Sequence, residues 1–327
     1  MVGYVGADVP VELITAAGAV PLRLAGDPSW DLAPGARILG DGVDPVASAV
    51  LSGLLAGAYP LDLLVVSRDC EASLRLFYAV RELRRLSPSC GLPEAYLVDI
   101  GHLPQPTTTA YNTVRIGQFR AWLGSRILSL SDSLSDDAVA AAIAAHDEQR
   151  RLLAEVAAWR LVGLSGSAFL GVVGAGTAMP VAAHVELLKR LLAEARPDAS
   201  GTRAFLTGSG HDTPHVYRAI EARNVTIVGE DHDWGDLWFA LPVGPSEQPE
   251  QALAERYQHN GPTATRATVR ERADHTAARA RECGAELLIC YARRRDDAPR
   301  WDFAAQAAAT GLLAWTLFDQ PYGGMTT

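Results

Sequence analysis

The fold of this chain is decided by residues 61–70, which read LDLLVVSRDC. A run rich in Leu and Val is typical of a strand buried on both faces of a parallel sheet, and the polar residues after it form a turn. Residues at the carboxyl end of such a strand face the crevice in which open α/β sheets hold their ligands. Cys70 is therefore interpreted as a ligand, a nucleophile or a small buried apolar group.

Strand-like and helix-like segments alternate on both sides of this run. Short connections between strand, helix and strand are typical of a parallel, doubly wound sheet. The pattern occurs in both halves of the chain, and residues 107–196 show mainly helical periods. The sequence predicts an α/β protein with two parallel-sheet domains joined by a helical segment. An N-terminal domain with a helical extension is expected at 1–165 and a C-terminal domain at 166–327.

The bounds of single elements follow from apolar periodicity and from Gly, Pro and capping residues. Strands are predicted at 20–24, 61–66, 95–99, 203–207, 225–228 and 286–291. Helices are predicted at 47–56, 71–86, 138–161, 181–195, 264–282 and 302–310. Loops are predicted before Pro45 and around 244–249.

Composition excludes several classes of function. The 327 residues carry a net charge of −9 without a block of Lys or Arg, which argues against a nucleic-acid partner. No apolar stretch approaches the roughly 18 residues that span a bilayer, and the amino terminus lacks the pattern of a signal peptide. We therefore expect a cytoplasmic protein without membrane contact. Its four cysteines contain no C-x-x-C pattern and should be reduced.

The turn Gly208-Ser209-Gly210 lies between a predicted strand and a predicted helix. Glycine lets backbone N–H groups approach an anion, so this turn is a candidate for phosphate or other ligand contact. The alternative is a tight turn that binds nothing. The dinucleotide fingerprint is incomplete because Thr213 stands at its sixth position, and the chain has no P-loop lysine motif.

Four ionisable residues, 230–233, end another predicted strand. They could bind a hard cation or zinc, although the set lacks the thiolates or histidine spacing of a typical zinc centre. Helix capping and surface solvation are the alternative.

Three arginines followed by two aspartates occupy 293–297. Arginine forks there could bind an anionic substrate tail, whereas a solvated loop is the alternative.

Five segments occur in an order and spacing that resemble a known family. They are Gly3-Tyr4 with 9–21, then 61–66 leading to Asp69-Cys70-Glu71, 206–209 with 219–221, 228–235, and 293–303. This order resembles the 2-hydroxyacyl-CoA dehydratase and benzoyl-CoA reductase family. The resemblance implies flavodoxin-like or Rossmann-like sheets and a subunit of a heterodimeric lyase or reductase. Such a subunit holds a [4Fe–4S] cluster by cysteines at strand ends, binds an acyl-CoA and receives one electron from an ATP-dependent activator.

The chain departs from the family pattern at the cluster ligands. The resemblance matches Asp44, Cys70 and Asp296 to cluster-ligand positions, of which only Cys70 keeps the thiol. Asp233 stands where many members have Cys. Iron in a sulfide cluster prefers thiolate, so a set of one Cys and two Asp should bind it more weakly. The remaining cysteines match no ligand position and are interpreted as core residues: Cys90, Cys283 and Cys290.

Two hypotheses remain open at this point. In the first, the chain is a dehydratase-like subunit that holds a cluster or other metal through Cys70, Asp44 and Asp296. The residues expected to bind its acyl-CoA are Ser67, Arg68, Gly208, Ser209 and Asp233. In the second, the chain is a cluster-free structural or substrate-binding partner of a homologous, cluster-bearing subunit. The sequence leaves open whether the partner is a second copy or a different chain, and whether the reaction is dehydration or reduction.

Overall fold

The computed structural model describes residues 1–127, 134–194, 201–264 and 266–326, which contain two four-stranded parallel sheets. The first sheet has β1 (Val2–Val5), β2 (Pro21–Arg23), β3 (Leu63–Ser67) and β4 (Glu94–Val98). The second has β5 (Thr202–Gly208), β6 (Val225–Glu230), β7 (Leu287–Arg293) and β8 (Leu313–Gln320). The strand orders are β2-β1-β3-β4 and β6-β5-β7-β8, all parallel, which confirms the predicted fold class.

Helices flank and connect the sheets. In the first part of the chain they are α1 (Val11–Ala16), α2 (Ala33–Leu39), α3 (Pro45–Leu55), α4 (Glu71–Leu86), α5 (Pro106–Ile127) and α6 (Asp136–Ala157), the last continued by a 3₁₀ helix at Ala158–Val162. The later helices are α7 (Gly166–Gly176), α8 (Val181–Leu192), α9 (His215–Glu221), α10 (Asp236–Phe239), α11 (Pro249–His259), α12 (Val269–Glu282) and α13 (Ala298–Thr310).

The central strand β3 is buried on both faces, as the run of Leu and Val predicts. Leu63 and Val65 belong to one apolar core, and the alternate residues Leu64 and Val66 belong to the core on the other side of the sheet. Successive side chains of a strand point to opposite faces, so a strand covered on both sides needs apolar residues at every position.

Several helix bounds differ from the sequence-based expectation. Helix α12 begins at Val269 and not at 264, because Thr268 and Glu271 form a reciprocal capping box that fixes the first turn. Helix α13 begins at Ala298 and not at 302, since a proline fits the first turn of a helix. Helix α2 lies in a stretch predicted as loop, and α11 begins at the end of another. The expected domain boundary at 165/166 stays a prediction.

The topology of each sheet creates one crevice. In each sheet the strand order reverses between the first and third strands, β1 and β3 or β5 and β7. Loops leave such a switch point in opposite directions and open a crevice at the carboxyl ends of the strands. Among the described residues, none of the helices combines the length and the apolar character that a membrane span requires.

Candidate functional site

A cavity of about 240 Å³ lies between the two switch points. The first sheet contributes Ala7 and Cys70, which follow β1 and β3. The second sheet contributes Gly208, Asp231 and Asp296, which lie at or beyond the ends of β5, β6 and β7. Four of the residues predicted at the site therefore line one cavity between the sheets: Cys70, Gly208, Asp233 and Asp296.

Cys70 caps the amino terminus of α4. Its Sγ accepts a hydrogen bond from the backbone N of Ser73 at 3.4 Å and lies 3.2 Å from the Ser73 hydroxyl. Part of the residue is exposed, but the thiol lies within the crevice. Burial and the neighbouring Asp69 charge raise the pKa of the Cys70 thiol well above its usual value. A helix amino terminus ordinarily favours a thiolate, and here that effect is outweighed, so Cys70 is a neutral thiol at pH 7.

Asp44 makes two structural contacts. It caps α3 by accepting a hydrogen bond from the backbone N of Val46 at 3.0 Å. Its two oxygens also accept from the Arg293 guanidinium, Oδ1 from Nε at 3.1 Å and Oδ2 from Nη2 at 2.8 Å. This two-pronged ion pair joins the N-terminal sheet region to the end of β7.

Asp296 lies on the other side of the same arginine. Ser209 donates a hydrogen bond from its Oγ to Asp296 Oδ2 at 2.6 Å, and the backbone N of Arg293 donates to Ser209 Oγ at 2.9 Å. Burial raises the pKa of Asp296 above its usual value, although Arg293 opposes the shift.

The structure thus brings the three predicted ligand residues to adjoining cavities without forming a ligand set. Cys70 lines one cavity with Asp296 and a neighbouring one of about 150 Å³ with Asp44. Within the described ranges, no group of three or more His, Cys, Asp or Glu residues has a geometry that could hold a metal ion. Iron–sulfur clusters are held mainly by thiolates. The thiol of Cys70 is the one sulfur donor of the set. Asp44 is paired with the Arg293 guanidinium, and Asp296 is hydrogen-bonded to Ser209. These three groups do not fit a [4Fe–4S] cluster.

The residues predicted to bind the substrate lie in different surroundings. Ser67 is buried at the end of β3, where its Oγ accepts from the backbone N of Asp8 at 3.4 Å. Arg68 is exposed, pairs with Asp99 at 3.2 Å and lines a separate open groove that also touches Cys70. Asp233 lines the interdomain cavity. Neither Ser67 nor Arg68 lines that cavity, so their role in substrate binding stays a prediction.

Gly208 has a backbone reason to be glycine. Its φ is +113°, and a Cβ at this position would stand 2.1 Å from the carbonyl oxygen of Tyr291. Any larger residue would clash with β7 and strain the backbone. The turn 208–210 is therefore a tight structural turn. Gly208 and Gly210 line the cavity while Ser209 is 2% exposed, so contact with a phosphate stays a prediction.

Two arginines near the site were not singled out by the sequence analysis: Arg266 lines the cavity, and Arg23 lines the neighbouring one of about 150 Å³. Arg23, at the end of β2, bonds through Nη1 to the Asp233 carbonyl oxygen at 2.6 Å, pairs with the Asp233 carboxylate and lies 3.9 Å above the Trp234 ring. Arg266 pairs with Asp8, whose other oxygen lies 3.0 Å from His102 Nε2. A charged residue that ends an otherwise apolar strand, as Arg23 does, was the available signal.

The acidic stretch 230–233 is largely internal, not a solvated surface. Asp231 Oδ2 accepts from the hydroxyls of Thr207 at 3.0 Å and Thr276 at 2.6 Å. Burial raises the pKa of Asp231 to about 6, against the effect of these hydrogen bonds. Burial and the charge of Asp236 raise the pKa of Glu230 to about 7, although Arg160 lies nearby. These carboxyl groups are costly to ionise where they stand, a frequent property of functional sites.

None of the other three cysteines lines the cavity. Cys290 is fully buried in β7, where its thiol lies 3.9 Å from the Pro299 carbonyl oxygen. Cys283 caps the end of α12 and packs against an apolar cluster of the second sheet. Cys90 packs against an apolar core of the first domain. These positions agree with their interpretation as core residues.

Comparison with known proteins supplies the family. A sequence model of the 2-hydroxyglutaryl-CoA dehydratase D-component matches residues 7–297, which include β2 to β7 and the three positions Asp44, Cys70 and Asp296. A search of curated proteins gave no match. A match over this share of the chain, together with the two parallel sheets, shows that the chain belongs to the 2-hydroxyglutaryl-CoA dehydratase D-component family.

Proposed function

We propose that this chain is a cluster-free subunit of a 2-hydroxyacyl-CoA dehydratase-type assembly. In this role it pairs with a homologous, cluster-bearing subunit and contributes the interdomain cavity as a binding site for an acyl group. The main support for the proposal is that Arg293 donates hydrogen bonds to both carboxylate oxygens of Asp44, a position matched to a cluster ligand.

The ion pair makes Asp44 a poor ligand for iron. Arg293 is 8% exposed, so releasing Asp44 to a metal would leave a buried guanidinium without its main partner. Removing one partner of a buried ion pair typically costs about 3–5 kcal/mol. Iron at this position would therefore have to offset a penalty that a cysteine in the same place would not impose.

Cys70 adds a second penalty to cluster binding. Metals bind the thiolate, and burial together with the Asp69 charge raises the pKa of the Cys70 thiol, so releasing its proton to a metal costs more than at an ordinary cysteine. The donor set favours a protein that retains the family fold and cavity without the family's iron centre.

Binding of an acyl-CoA is supported by the position of the cavity and by exposed cations beside it. Ligands of open α/β folds bind at switch points, and two of these converge on the cavity. Arg294 and Arg295 are exposed between two residues of the site, Arg293 and Asp296. In our proposal they contact the phosphates of the coenzyme outside the cavity, whereas the acyl end enters it.

The test of the cluster-free assignment is anaerobic incubation of the purified chain with iron and sulfide, followed by iron and sulfide assays. We expect substoichiometric iron and no visible cluster absorption, both for the natural chain and for Cys70→Ala. A stoichiometric cluster that disappears in Cys70→Ala would overturn the assignment.

The partner and the substrate require separate measurements. The tagged chain, isolated from its own cells, should co-purify with a family member that keeps the cluster cysteines. Acetyl-CoA serves as a probe for the coenzyme, and Arg294→Ala/Arg295→Ala should weaken its binding. The matched control is Lys189→Ala/Arg190→Ala, an exposed basic pair on α8 outside the cavity. Equal effects of the two double variants would contradict the proposed phosphate contact.

A further inference from the structure

Strand β8 forms an open edge of the second sheet. Among the described strands it pairs with β7 alone, so the backbone N–H and C=O groups on its other side lie outside the ladder. At eight residues it is the longest described strand, and its exposed residues are Leu313, Ala314, Thr316 and Asp319. Proteins ordinarily keep edge strands short, charged or covered, because an open edge pairs with other chains.

The other three edge strands are better covered. In β6, at the opposite edge of the same sheet, the last four residues are buried, and in β2 two of the three residues are buried. None of the five residues of β4 is exposed, and its Glu94 pairs with Arg126. The exposure of β8 is therefore not a general property of sheet edges in this protein.

A groove of about 540 Å³ runs along the open edge of β8. Four successive residues of the strand, 315–318, line it, and successive side chains of a strand point to opposite faces. The groove therefore follows the strand itself and not one face of the sheet. Gln320 and Thr326 line its carboxyl end, where Gln320 Oε1 accepts from the backbone N of Thr326 at 2.6 Å.

The outward side of α13 is apolar as well. Trp301, Ala304 and Ala308 are exposed and lie at helix positions i, i+3 and i+7, which share one side. Asp302, which lines the interdomain cavity, is buried on another side of the helix. Trp301 is 80% exposed, and so is Leu313 at the start of β8. A surface helix normally has polar residues on its solvent side, so an apolar solvent side is typical of an interface.

Helix α13 and strand β8 form one neutral surface. The rings of Phe303 and Phe318 pack edge to face at 5.8 Å. Residues 303–318 include no charged side chain, although 20% of the chain is charged. Arg300 and Asp319 pair with each other at the carboxyl end of the strand, so this boundary has one charge of each sign. Two copies of a chain with a net charge of −9 can therefore meet here without like charges opposing each other.

We propose that two copies of this chain associate by antiparallel pairing of their β8 strands, which joins two four-stranded sheets into one of eight strands. Two-fold symmetry makes the contact self-complementary, because each β8 supplies the backbone donors and acceptors that the other lacks. The two α13 helices then become neighbours on one side of the joined sheet. A single extended peptide would pair with the strand but leave the outward side of α13 uncovered.

The size of the surface agrees with a reversible dimer. An eight-residue strand is about 26 Å long, and a sheet with one layer of helices is about 20 Å thick, so the contact buries roughly 1,000 Å² in total. This area is near the lower limit of specific interfaces. The inference goes beyond the proposed function, since no residue of this surface lines the interdomain cavity and the family model ends at residue 297, before α13.

Sedimentation equilibrium of the purified full chain tests the inference between about 1 and about 100 µM. We expect the average mass to rise from 34.9 kDa towards twice that value. Leu313→Arg should weaken the association roughly tenfold or more, because two-fold symmetry brings two added charges to one interface. The matched control is Leu86→Arg, which changes a leucine that is 70% exposed at the end of α4. This control should associate like the natural chain.

Hydrogen exchange on the natural chain locates the contact without any substitution. Amides of 313–318 should exchange more slowly at about 100 µM than at about 1 µM, whereas those of the edge strand β4 should not change. A monomeric mass at every concentration, equal effects of the two variants, or equal changes in β8 and β4 would each overturn the inference. Slower exchange in β8 only after a different subunit is added would also overturn it, since the partner would then not be a second copy. The iron and acetyl-CoA assays are independent of all these results.

Discussion

Two buried glutamates in this protein have opposite electrostatic surroundings. Glu12 lies in α1 and accepts from Arg150 and, at 2.9 Å, from the Tyr257 hydroxyl. Burial would raise its pKa, but Arg150, Arg256 and His146 outweigh that effect and lower the pKa of Glu12 to about 2. Burial and Asp236 instead raise the pKa of Glu230, at the end of β6, to about 7.

The difference lies in the balance of charge around each glutamate. Glu12 and Asp147 share Arg150, and the nearby Arg256 adds a second positive charge. Glu230 and Asp236 share Arg160, and the nearby Asp231 adds a further negative charge. The Glu12 cluster joins α1 to α6 and α11 by hydrogen bonds and has a structural role. The Glu230 cluster adjoins the cavity and keeps charge that its surroundings do not balance. Poorly balanced buried charge is frequent at functional sites, and here it lies beside the cavity that Asp231 lines.

The largest change in stability is expected from a substitution that breaks the Glu12 cluster. Glu12→Gln leaves two buried arginines, Arg150 and Arg256, with the partly exposed Asp147 as their remaining carboxylate. We expect a loss of about 3–5 kcal/mol in the free energy of unfolding, measured by urea denaturation at pH 8. Glu230→Gln is the matched control and should not lower the free energy of unfolding at pH 8, because Arg160 retains Asp236 and a buried charge that is costly to ionise is removed. Equal losses in the two variants would remove the contrast between the clusters.

A smaller effect concerns the ion pair that joins the two sheets. Arg293→Met keeps the bulk of the side chain but leaves Asp44, which is partly exposed, without its partner. We expect a loss of about 3 kcal/mol in urea denaturation. Arg294→Met, at the exposed neighbouring position, should stay within about 0.5 kcal/mol of the natural chain. A negligible loss in Arg293→Met would show that the pair contributes little to the closed interface.

The third prediction concerns how the contributions of Glu230 and Glu12 to stability depend on pH. The pKa of Glu230 is raised from 4.5 to about 7 on folding, so the natural chain should lose stability relative to Glu230→Gln as pH rises through this range. The pKa of Glu12 is lowered to about 2, so its advantage over Glu12→Gln should be present above pH 4.5 and fade as pH falls towards 2.

Measured by denaturation from pH 3 to 8, the Glu230 difference should span about 3 kcal/mol and the Glu12 difference about 2 kcal/mol. Buried histidines contribute to every curve and largely cancel in the differences. Two slopes of the same sign would contradict the assigned charge states.

The sequence predicts the sheets well because their information is local. The run at 61–66 has apolar residues at successive positions, and β3 is buried on both faces accordingly. The predicted starts of two helices were less accurate, although the sequence contains a signal for each. Thr268 with Glu271 is a capping-box pattern, and Pro299 marks a first turn. Helix α2 contains both Pro and Gly within seven residues, which is a loop-like composition that tertiary packing overrides.

The site was predictable in its position but not in its pairings. Strand-end residues such as Cys70, Gly208 and Asp296 could be placed at one crevice from topology alone. The partner of Asp44 could not, because Arg293 lies 249 positions further along the chain and belongs to the other sheet. Similarly, the link from Gln306 to Thr207 and Thr276 depends on three elements that only the folded structure brings together.

Mössbauer spectroscopy of intact cells that overproduce the chain in ⁵⁷Fe medium tests the central claim most directly. It detects a cluster before purification can remove it. With Arg293 holding Asp44 and Cys70 protonated, the spectrum should match that of cells without the chain, and Cys70→Ala should change nothing. A [4Fe–4S] signal that scales with the amount of the chain and vanishes in Cys70→Ala would contradict the account.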